Sequence, residues 1–154
     1  MSTFTSLTYH LVFGTKYRFE RIRPPLQDEL YAYIGGIIRG EQGHLIEIGG
    51  MPDHVHILTA IPPSLAVSDM LKRIKAKSSK WVNQEHKCAE RFEWQIGFGA
   101  FTVSHSQIEI VQRYIQNQAE HHRQLTFQEE LMMLLRRHAI AFDEQFLFEG
   151  EHVG

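Results

Sequence analysis

The 154 residues, 43% of them apolar and with a formal net charge of −2, are typical of one globular domain rather than a disordered chain. The single cysteine, Cys88, excludes a disulfide framework and a cysteine-based zinc site within one chain. No apolar run approaches the roughly 18 residues that span a bilayer, and the N-terminus lacks the features of a signal peptide, so we expect a cytoplasmic protein.

The predicted elements alternate between strands and helices. Apolar alternation predicts strands at 6–13, 44–48, 54–61 and 100–104, with a turn at 49–53. Three- and four-residue apolar spacing predicts helices at 26–41 and from Ser64 or Ser68 to 84. This order is the split βαβ pattern, which predicts the α+β class and a ferredoxin-like βαββαβ antiparallel sheet with two helices on one face.

Two added helices are expected after the fourth strand. A capping box at Ser106 and Glu109 predicts the start of the first, and a second at Thr126 and Glu129 predicts the start of the other. The tail from residue 140 is apolar enough to pack against the domain. These helices or a ligand would occupy the open face of the sheet.

Two histidines stand out in the predicted third strand. His54 and His56 share one face, because successive side chains of a strand alternate. The opposite face, with Val55 and Ile57, is apolar and β-branched, so it should pack against the two helices and leave the histidines on the open side. The pair could supply the first two ligands of a divalent metal ion, although two structural histidines would give the same pattern.

The helix after the fourth strand carries a second candidate pair. Tyr114 and Gln118 are one helical turn apart and therefore share a face, beside the apolar stripe that includes Val111 and Ile115. Taken alone, the pair is better explained by a tyrosine packed at the edge of the core and a solvated glutamine.

Basic residues are concentrated in two segments of the chain, although the net charge is close to zero. Local basic patches of this kind can bind phosphates, and a solvated helix face is the alternative. We selected seven of them as candidate DNA contacts: Lys16, Arg18, Lys72, Arg73, Lys75, Lys77 and Lys80.

Three blocks, in this order, resemble one family. His54-Val55-His56 fits the His–hydrophobe–His motif of HUH endonucleases, and residues 50–58 resemble its version in single-tyrosine transposases of the insertion-sequence-200 type. Residues 9–18 resemble that family's opening strand, and residues 113–118 resemble its nucleophile helix. The resemblance covers roughly residues 5–125. We therefore assign 1–125 to the transposase domain and 126–154 to a C-terminal helix and tail that extend it.

The resemblance implies roles for four residues. His54, His56 and Gln118 match the metal ligands, and Tyr114 matches the nucleophile. Such enzymes cut single-stranded DNA at the foot of a hairpin, form a 5′-phosphotyrosine and release a free 3′-OH. The family also implies a homodimer in which one subunit gives the histidines and the other the tyrosine helix.

Several alternatives stay open. The metal is Mg²⁺ or Mn²⁺, because two imidazoles suit Mn²⁺ better while Mg²⁺ prefers oxygen ligands. No general base is evident, although His121 is a candidate. The chain could also be a catalytically lapsed or regulatory module that binds single-stranded nucleic acid, or a hydrolase with a histidine–metal centre. A replication initiator or relaxase would carry further domains or a second tyrosine one turn away, and residues 107–122 contain only Tyr114.

Overall fold

The computed structural model describes residues 2–148; Met1 and the end of the predicted tail, 149–154, lie outside that range. Four strands form one antiparallel sheet in the order β2-β3-β1-β4. The strands are β1 (Thr8–Gly14), β2 (His44–Met51), β3 (His54–Ala60) and β4 (Gly99–Thr102). The helices are α1 (Leu26–Gly40), α2 (Val67–Gln84), α3 (Ile108–Gln116), α4 (Gln118–His121) and α5 (Phe127–Arg137). The predicted ferredoxin-like α+β fold with added C-terminal helices is confirmed.

Helices α1 and α2 cover one face of the sheet. Their apolar stripes include Ile34 and Ile74. These pack against strand side chains that all point to this side of the sheet, namely Leu11, Phe13 and Ile57. This aliphatic and aromatic cluster is the main core of the domain, and the predicted assignment of the β3 faces is confirmed.

Helices α3, α4 and α5 cover the other face. Phe127, Leu131 and Leu134 of α5 pack on Val12 and Phe101 of the sheet, and Leu147 and Phe148 of the tail extend this cluster. Tail packing was expected from composition, and residues 147–148 confirm it. Within residues 2–148, no helix is long and apolar enough to cross a membrane.

The second strand is longer than predicted. Gly49 pairs with His56 and Gly50 pairs with Val55, so the two glycines belong to β2 and only Pro52-Asp53 forms the turn. A Cβ on Gly49 would lie 2.8 Å from the carbonyl oxygen of Ile115. The glycine therefore serves the close approach of α3 to the sheet, which the sequence pattern did not distinguish from a turn.

Two predictions for the C-terminal helices are wrong. Ser106 does not cap α3: it lies in a 3-10 turn, His105–Gln107, and its hydroxyl shares a hydrogen bond of 3.1 Å with that of Ser104. The helix that carries Tyr114 is also interrupted at Asn117, between α3 and α4. The capping box at Thr126 and Glu129 is confirmed, with both reciprocal hydrogen bonds present.

Candidate active site

The site lies between β3 and the three C-terminal helices. His54 and His56 point away from the α1–α2 core, as alternation predicts, and both are completely buried beneath the added helices. Helix α3 contributes Tyr114, α4 contributes Gln118 and α5 contributes Glu130. The predicted tyrosine and histidines therefore meet within a single chain.

Glu130 Oε1 is the atom at which three imidazoles converge. It lies 2.9 Å from His56 Nε2, 2.9 Å from His122 Nε2 and 3.2 Å from His54 Nε2. The carboxylate is fully buried. Burial would raise its pKa, but the hydrogen bonds from His122, His54 and His56 outweigh burial and hold that pKa far below its usual range. Glu130 is therefore ionised at neutral pH.

The other oxygen, Glu130 Oε2, faces the candidate nucleophile. The Tyr114 hydroxyl donates a hydrogen bond to it, and Gln118 Nε2 donates another at 3.0 Å. Burial and the neighbouring Glu130 charge raise the pKa of Tyr114 well above its usual value, so the resting side chain is a neutral phenol.

The Nδ1 atoms of the three histidines are also engaged. Their partners are Asp53 Oδ1 for His54 at 2.7 Å, His10 Nε2 for His56 at 2.8 Å and the Leu125 carbonyl oxygen for His122 at 2.5 Å. Such outer contacts fix the orientation of a ring and are usual around metal-binding histidines.

The histidines differ in basicity. Burial lowers the pKa of His54, but hydrogen bonds to Asp53 and Glu130 outweigh burial and raise it to about 9. Burial lowers the pKa of His56 despite its contact with Glu130. Burial and the neighbouring His56 lower the pKa of His10 to about 3.

The cluster has the composition of a metal site. One ligand atom each from His54, His56, His122 and Glu130 lies within 4.8 Å of the others. Imidazole nitrogens and a carboxylate oxygen are ordinary ligands of divalent metals, and their Nδ1 partners hold the rings in place. The cluster could therefore bind a divalent ion, and the donor types fit one.

A cavity of about 440 Å³ opens beside the tyrosine. It lies between β4, α3 and α5, and its lining includes Tyr114, His10 and the exposed Arg137. A phosphate group could approach the Tyr114 hydroxyl by this route, with the Arg137 guanidinium as a donor.

The chain matches the family described as "Transposase IS200 like" over residues 3–118. The protein belongs to this family. Membership makes it a transposase, an enzyme that cleaves DNA. His122, Glu130 and the whole of α5 lie after the matched residues.

Named relatives agree with this assignment. The transposase is 31% identical to the transposase of insertion sequence element IS200 from Salmonella typhimurium over 121 residues, 73% of this chain and 76% of the relative. It is 28% identical to the ISDra2 transposase TnpA of Deinococcus radiodurans over 117 residues, 73% of this chain and 84% of the relative.

Solved structures share the fold. A transposase crystal structure from Deinococcus radiodurans, 27% identical, aligns with a TM-score of 0.59 over 77% of this chain and 95% of that chain. A REP-associated tyrosine transposase bound to a REP hairpin aligns with a TM-score of 0.60 over 79% of this chain and 74% of that chain, at 16% identity.

The seven basic candidates are dispersed over the transposase. Lys72, Arg73, Lys75, Lys77 and Lys80 are on α2, across the sheet from Tyr114. Arg73 and Lys77 pair with Glu41, and Lys16 pairs with Glu93 at 3.1 Å. Lys16, Lys75 and Lys80 line one cavity of about 600 Å³. The Arg18 guanidinium lies 3.6 Å from the Phe148 ring centre, at the α5 side.

Most of the residues that surround His54, His56 and Tyr114 were not predicted from the sequence. Asp53 was expected to be a turn residue, and it also accepts a hydrogen bond from His54. The His121 ring stacks on Tyr114, with centroids 4.4 Å apart, while the tyrosine hydroxyl is bonded to Glu130 instead. One signal for Glu130 was available: it falls within the apolar stripe of Phe127, Leu131 and Leu134, where a solvated acid would not be expected.

Proposed function

We propose that this transposase cleaves and rejoins single-stranded DNA at hairpin-bearing element ends through a 5′-phosphotyrosine formed on Tyr114. One observation carries the proposal: the Tyr114 hydroxyl is bonded to the carboxylate that His54 and His56 also contact. The nucleophile and the candidate metal ligands thus meet at one buried point. A hairpin partner is also consistent with the similarly folded REP-associated transposase, which is bound to a REP hairpin.

The proposed ligands are His54, His56 and the amide oxygen of Gln118. Gln118 Oε1 lies 3.0 Å from His54 Nε2, which supports its inclusion. A divalent ion bound there, Mg²⁺ or Mn²⁺, would polarise the scissile phosphate and offset the charge brought by the phenol oxygen.

Tyr114 then acts as the nucleophile. Its oxygen forms a bond to the scissile phosphorus, the bond from phosphorus to the 3′ oxygen breaks, and that oxygen leaves with the electron pair and gains a proton. Because the pKa of Tyr114 is raised, the phenolic proton leaves during the attack rather than before it. The ionised Glu130 accepts the hydroxyl hydrogen bond and so orients the phenol oxygen, but its lowered pKa makes it a poor base, so the released proton passes to solvent water. The reverse reaction with a new 3′-OH restores the phenol and joins the strands.

The DNA contacts stay a prediction. Phosphate contacts position a strand without specifying its sequence. Lys75 and Lys80, which line one cavity, are the strongest candidates of the seven for such contacts, whereas Glu93 already offsets the charge of Lys16 in the same cavity. Arg73 and Lys77 are the weakest, because Glu41 already offsets their charge.

A covalent-adduct assay tests the proposal. Labelled single-stranded hairpins from the flanks of the protein's own gene are incubated with the full chain and Mg²⁺ or Mn²⁺, then resolved under denaturing conditions. We expect an adduct with the wild type and none with Tyr114→Phe. Tyr33→Phe is the matched control, because Tyr33 stacks on Trp81 within the α1–α2 core and the change removes only its hydroxyl.

Two results would contradict the proposal. An adduct that persists in Tyr114→Phe would exclude Tyr114 as the nucleophile. Hairpin binding that survives both EDTA and Tyr114→Phe, with no adduct under any condition, would favour the catalytically lapsed binding module instead.

The homodimer with shared sites also stays a prediction, as does the cytoplasmic location. Because one chain already brings Tyr114 to His56, sharing would require two chains to exchange α3. Mixing inactive Tyr114→Phe with inactive His56→Ala tests this. A shared site predicts that the mixture regains adduct formation, since each mixed dimer contains one intact combination. A site built within each chain predicts no recovery.

A further inference from the structure

We propose that His122 and Glu130 are metal ligands, so that the centre is built from three imidazoles, a carboxylate and the Gln118 amide oxygen. This inference rests on the proposed function, because it concerns the ion of the same site. The inference adds two ligands to those of the proposed function. Both come from the segment after residue 118, where the family match ends.

The spacing of the donor atoms fits one ion. Ligands about 2.1 Å from a common metal lie about 3.0 Å apart when they subtend a right angle and about 3.4 Å apart in a tetrahedron. Glu130 Oε1 lies 2.9, 2.9 and 3.2 Å from the Nε2 atoms of His56, His122 and His54. Gln118 Oε1 lies 3.0 and 3.1 Å from those of His54 and His122. Both oxygens are therefore spaced as neighbours of the nitrogens in a single coordination shell.

The hydrogen-bond partners of His54 indicate that a positive charge is needed at its Nε2 atom. A neutral imidazole has one N–H and one lone pair. His54 Nδ1 faces a carboxylate oxygen of Asp53, so it carries the hydrogen. In a neutral ring, Nε2 would direct a lone pair at two further acceptors, Gln118 Oε1 and Glu130 Oε1, so this position needs a second proton or a metal ion. Because Gln118 donates its amide hydrogen to Glu130 Oε2, its oxygen must face the histidines.

His122 repeats this arrangement. Its Nδ1 faces the carbonyl oxygen of Leu125, an obligatory acceptor, at 2.5 Å. Its Nε2 faces the same two oxygens of Gln118 and Glu130, at 3.1 and 2.9 Å. A neutral ring would again leave a lone pair opposed by acceptors. Two nearly buried rings thus require positive charge at the same point.

One divalent ion meets this requirement more economically than two protons. Two protonated rings would repel each other, because the His54 and His122 ring centroids are only 4.6 Å apart. A single ion places the same charge of +2 where the lone pairs and the Glu130 carboxylate converge. It also compensates a fully buried anion, which is costly when left without a partner.

The donor set has a consequence for the choice of metal. Three imidazole nitrogens and two oxygens suit Mn²⁺, Co²⁺ or Zn²⁺, whereas Mg²⁺ prefers an oxygen shell with several waters. We therefore expect Mn²⁺ to bind at least tenfold more tightly than Mg²⁺. An ion held by these five side chains would still be able to accept a phosphate oxygen as a further ligand.

Metal titration of the full chain without DNA tests the inference. Mn²⁺ binding is measured by calorimetry on wild type, Glu130→Gln and His122→Gln, and we expect each variant to bind at least tenfold more weakly. Glu120→Gln and His105→Gln are the matched controls, both at exposed positions. Glu120 is exposed and pairs with Arg123, and neither residue belongs to the cluster. Wild-type affinity in both ligand variants, or no Mn²⁺ binding by wild type, would overturn the inference.

Pulsed EPR of Mn²⁺ bound to wild type provides a second readout that does not depend on variants folding. It counts coordinated imidazole nitrogens: three supports the inference, and two overturns it. The Tyr114→Phe variant separates this inference from the proposed function, because it should keep Mn²⁺ affinity while losing the DNA adduct. Intact metal binding by the five-ligand centre together with a Tyr114-independent adduct would refute only the proposed nucleophile.

Discussion

The two faces of the sheet bury opposite kinds of side chain. On the α1–α2 face, the neighbours of each strand residue are aliphatic or aromatic, as around Ile57. On the α3–α5 face, the same strand buries two histidines against a carboxylate, within a smaller apolar rim formed by residues such as Phe127 and Leu131. One strand, β3, contributes to both through simple alternation. The apolar core is therefore concentrated on one face, and the candidate site is concentrated on the other.

The difference has an energetic basis. Apolar burial stabilises a fold in proportion to the area removed from water. A buried ion network contributes little net stability, because the loss of hydration offsets much of the attraction between its charges. The α3–α5 face nevertheless keeps a fully buried Glu130 among three histidines. A network retained at this cost is better explained by ion binding and nucleophile placement than by stability.

The largest expected effect comes from His56→Ala. This change removes a ligand from the centre, so we expect the rate of adduct formation to fall at least about 100-fold, since even the loss of outer-shell support for a metal site costs up to that factor. Mn²⁺ affinity should fall in parallel. Gel quantification of the adduct over time gives the rate. A variant that keeps the wild-type rate would show that His56 is only structural.

Ile57, the residue after His56 in β3, should show the opposite behaviour: a loss of stability without a loss of metal binding. Ile57 is fully buried in the α1–α2 core, so Ile57→Ala should lower the free energy of unfolding by about 2–5 kcal/mol through lost contacts and a cavity. Mn²⁺ affinity of the folded fraction should stay within about twofold of wild type, because no ligand is altered. Urea denaturation and calorimetry measure the two quantities. If both variants lost stability and affinity equally, the division between the faces would be wrong.

The sequence predicted the α1–α2 face well, because apolar and polar residues alternate regularly along β3. Alternation along β3 was enough to assign Val55 and Ile57 to the core and His54 and His56 to the opposite side. Gly49 was misassigned to a turn because glycine permits turns and close approaches alike, and only the position of α3 distinguishes them.

The polar face was harder to predict, because its contacts join residues that are distant in sequence. Tyr114 and Gln118 were found from helical spacing and the family resemblance, but Glu130 is 74 residues from His56, and no local pattern relates them. The acid within the apolar stripe of α5 indicated burial without identifying a partner. The contact of His10 with His56 likewise depends on the register of β1 and β3, which no local pattern indicates.

The dependence of stability on pH should differ with and without metal. In EDTA, His54 has a pKa raised from 6.5 to about 9, so its contribution is fully present below pH 6.5 and is lost as pH rises to about 9, at most about 3 kcal/mol. His10 acts in the opposite direction: its pKa, lowered to about 3, gives stability above pH 6.5 that is lost as pH falls toward 3. The metal-free protein should therefore be most stable near pH 6.5.

Saturating Mn²⁺ should remove the alkaline loss, because the ion replaces the proton on His54 and binds more tightly as protons become scarce. Thermal unfolding midpoints from pH 5 to 9, with EDTA or with Mn²⁺, provide the comparison. Identical profiles under the two conditions would argue that no ion occupies the α3–α5 face.

The smallest expected effect isolates α5. The Thr126 hydroxyl caps this helix by accepting a hydrogen bond from the Glu129 amide at 3.2 Å. Thr126→Ala should cost about 1 kcal/mol. If the α3–α5 face opens separately from the core, hydrogen exchange of α5 amides should accelerate about fivefold, the factor that corresponds to this energy. Exchange in α1 and α2 should not change. Thr126→Ser, which keeps the capping oxygen, should behave as wild type, whereas equal acceleration in all helices would mean that the two faces open together.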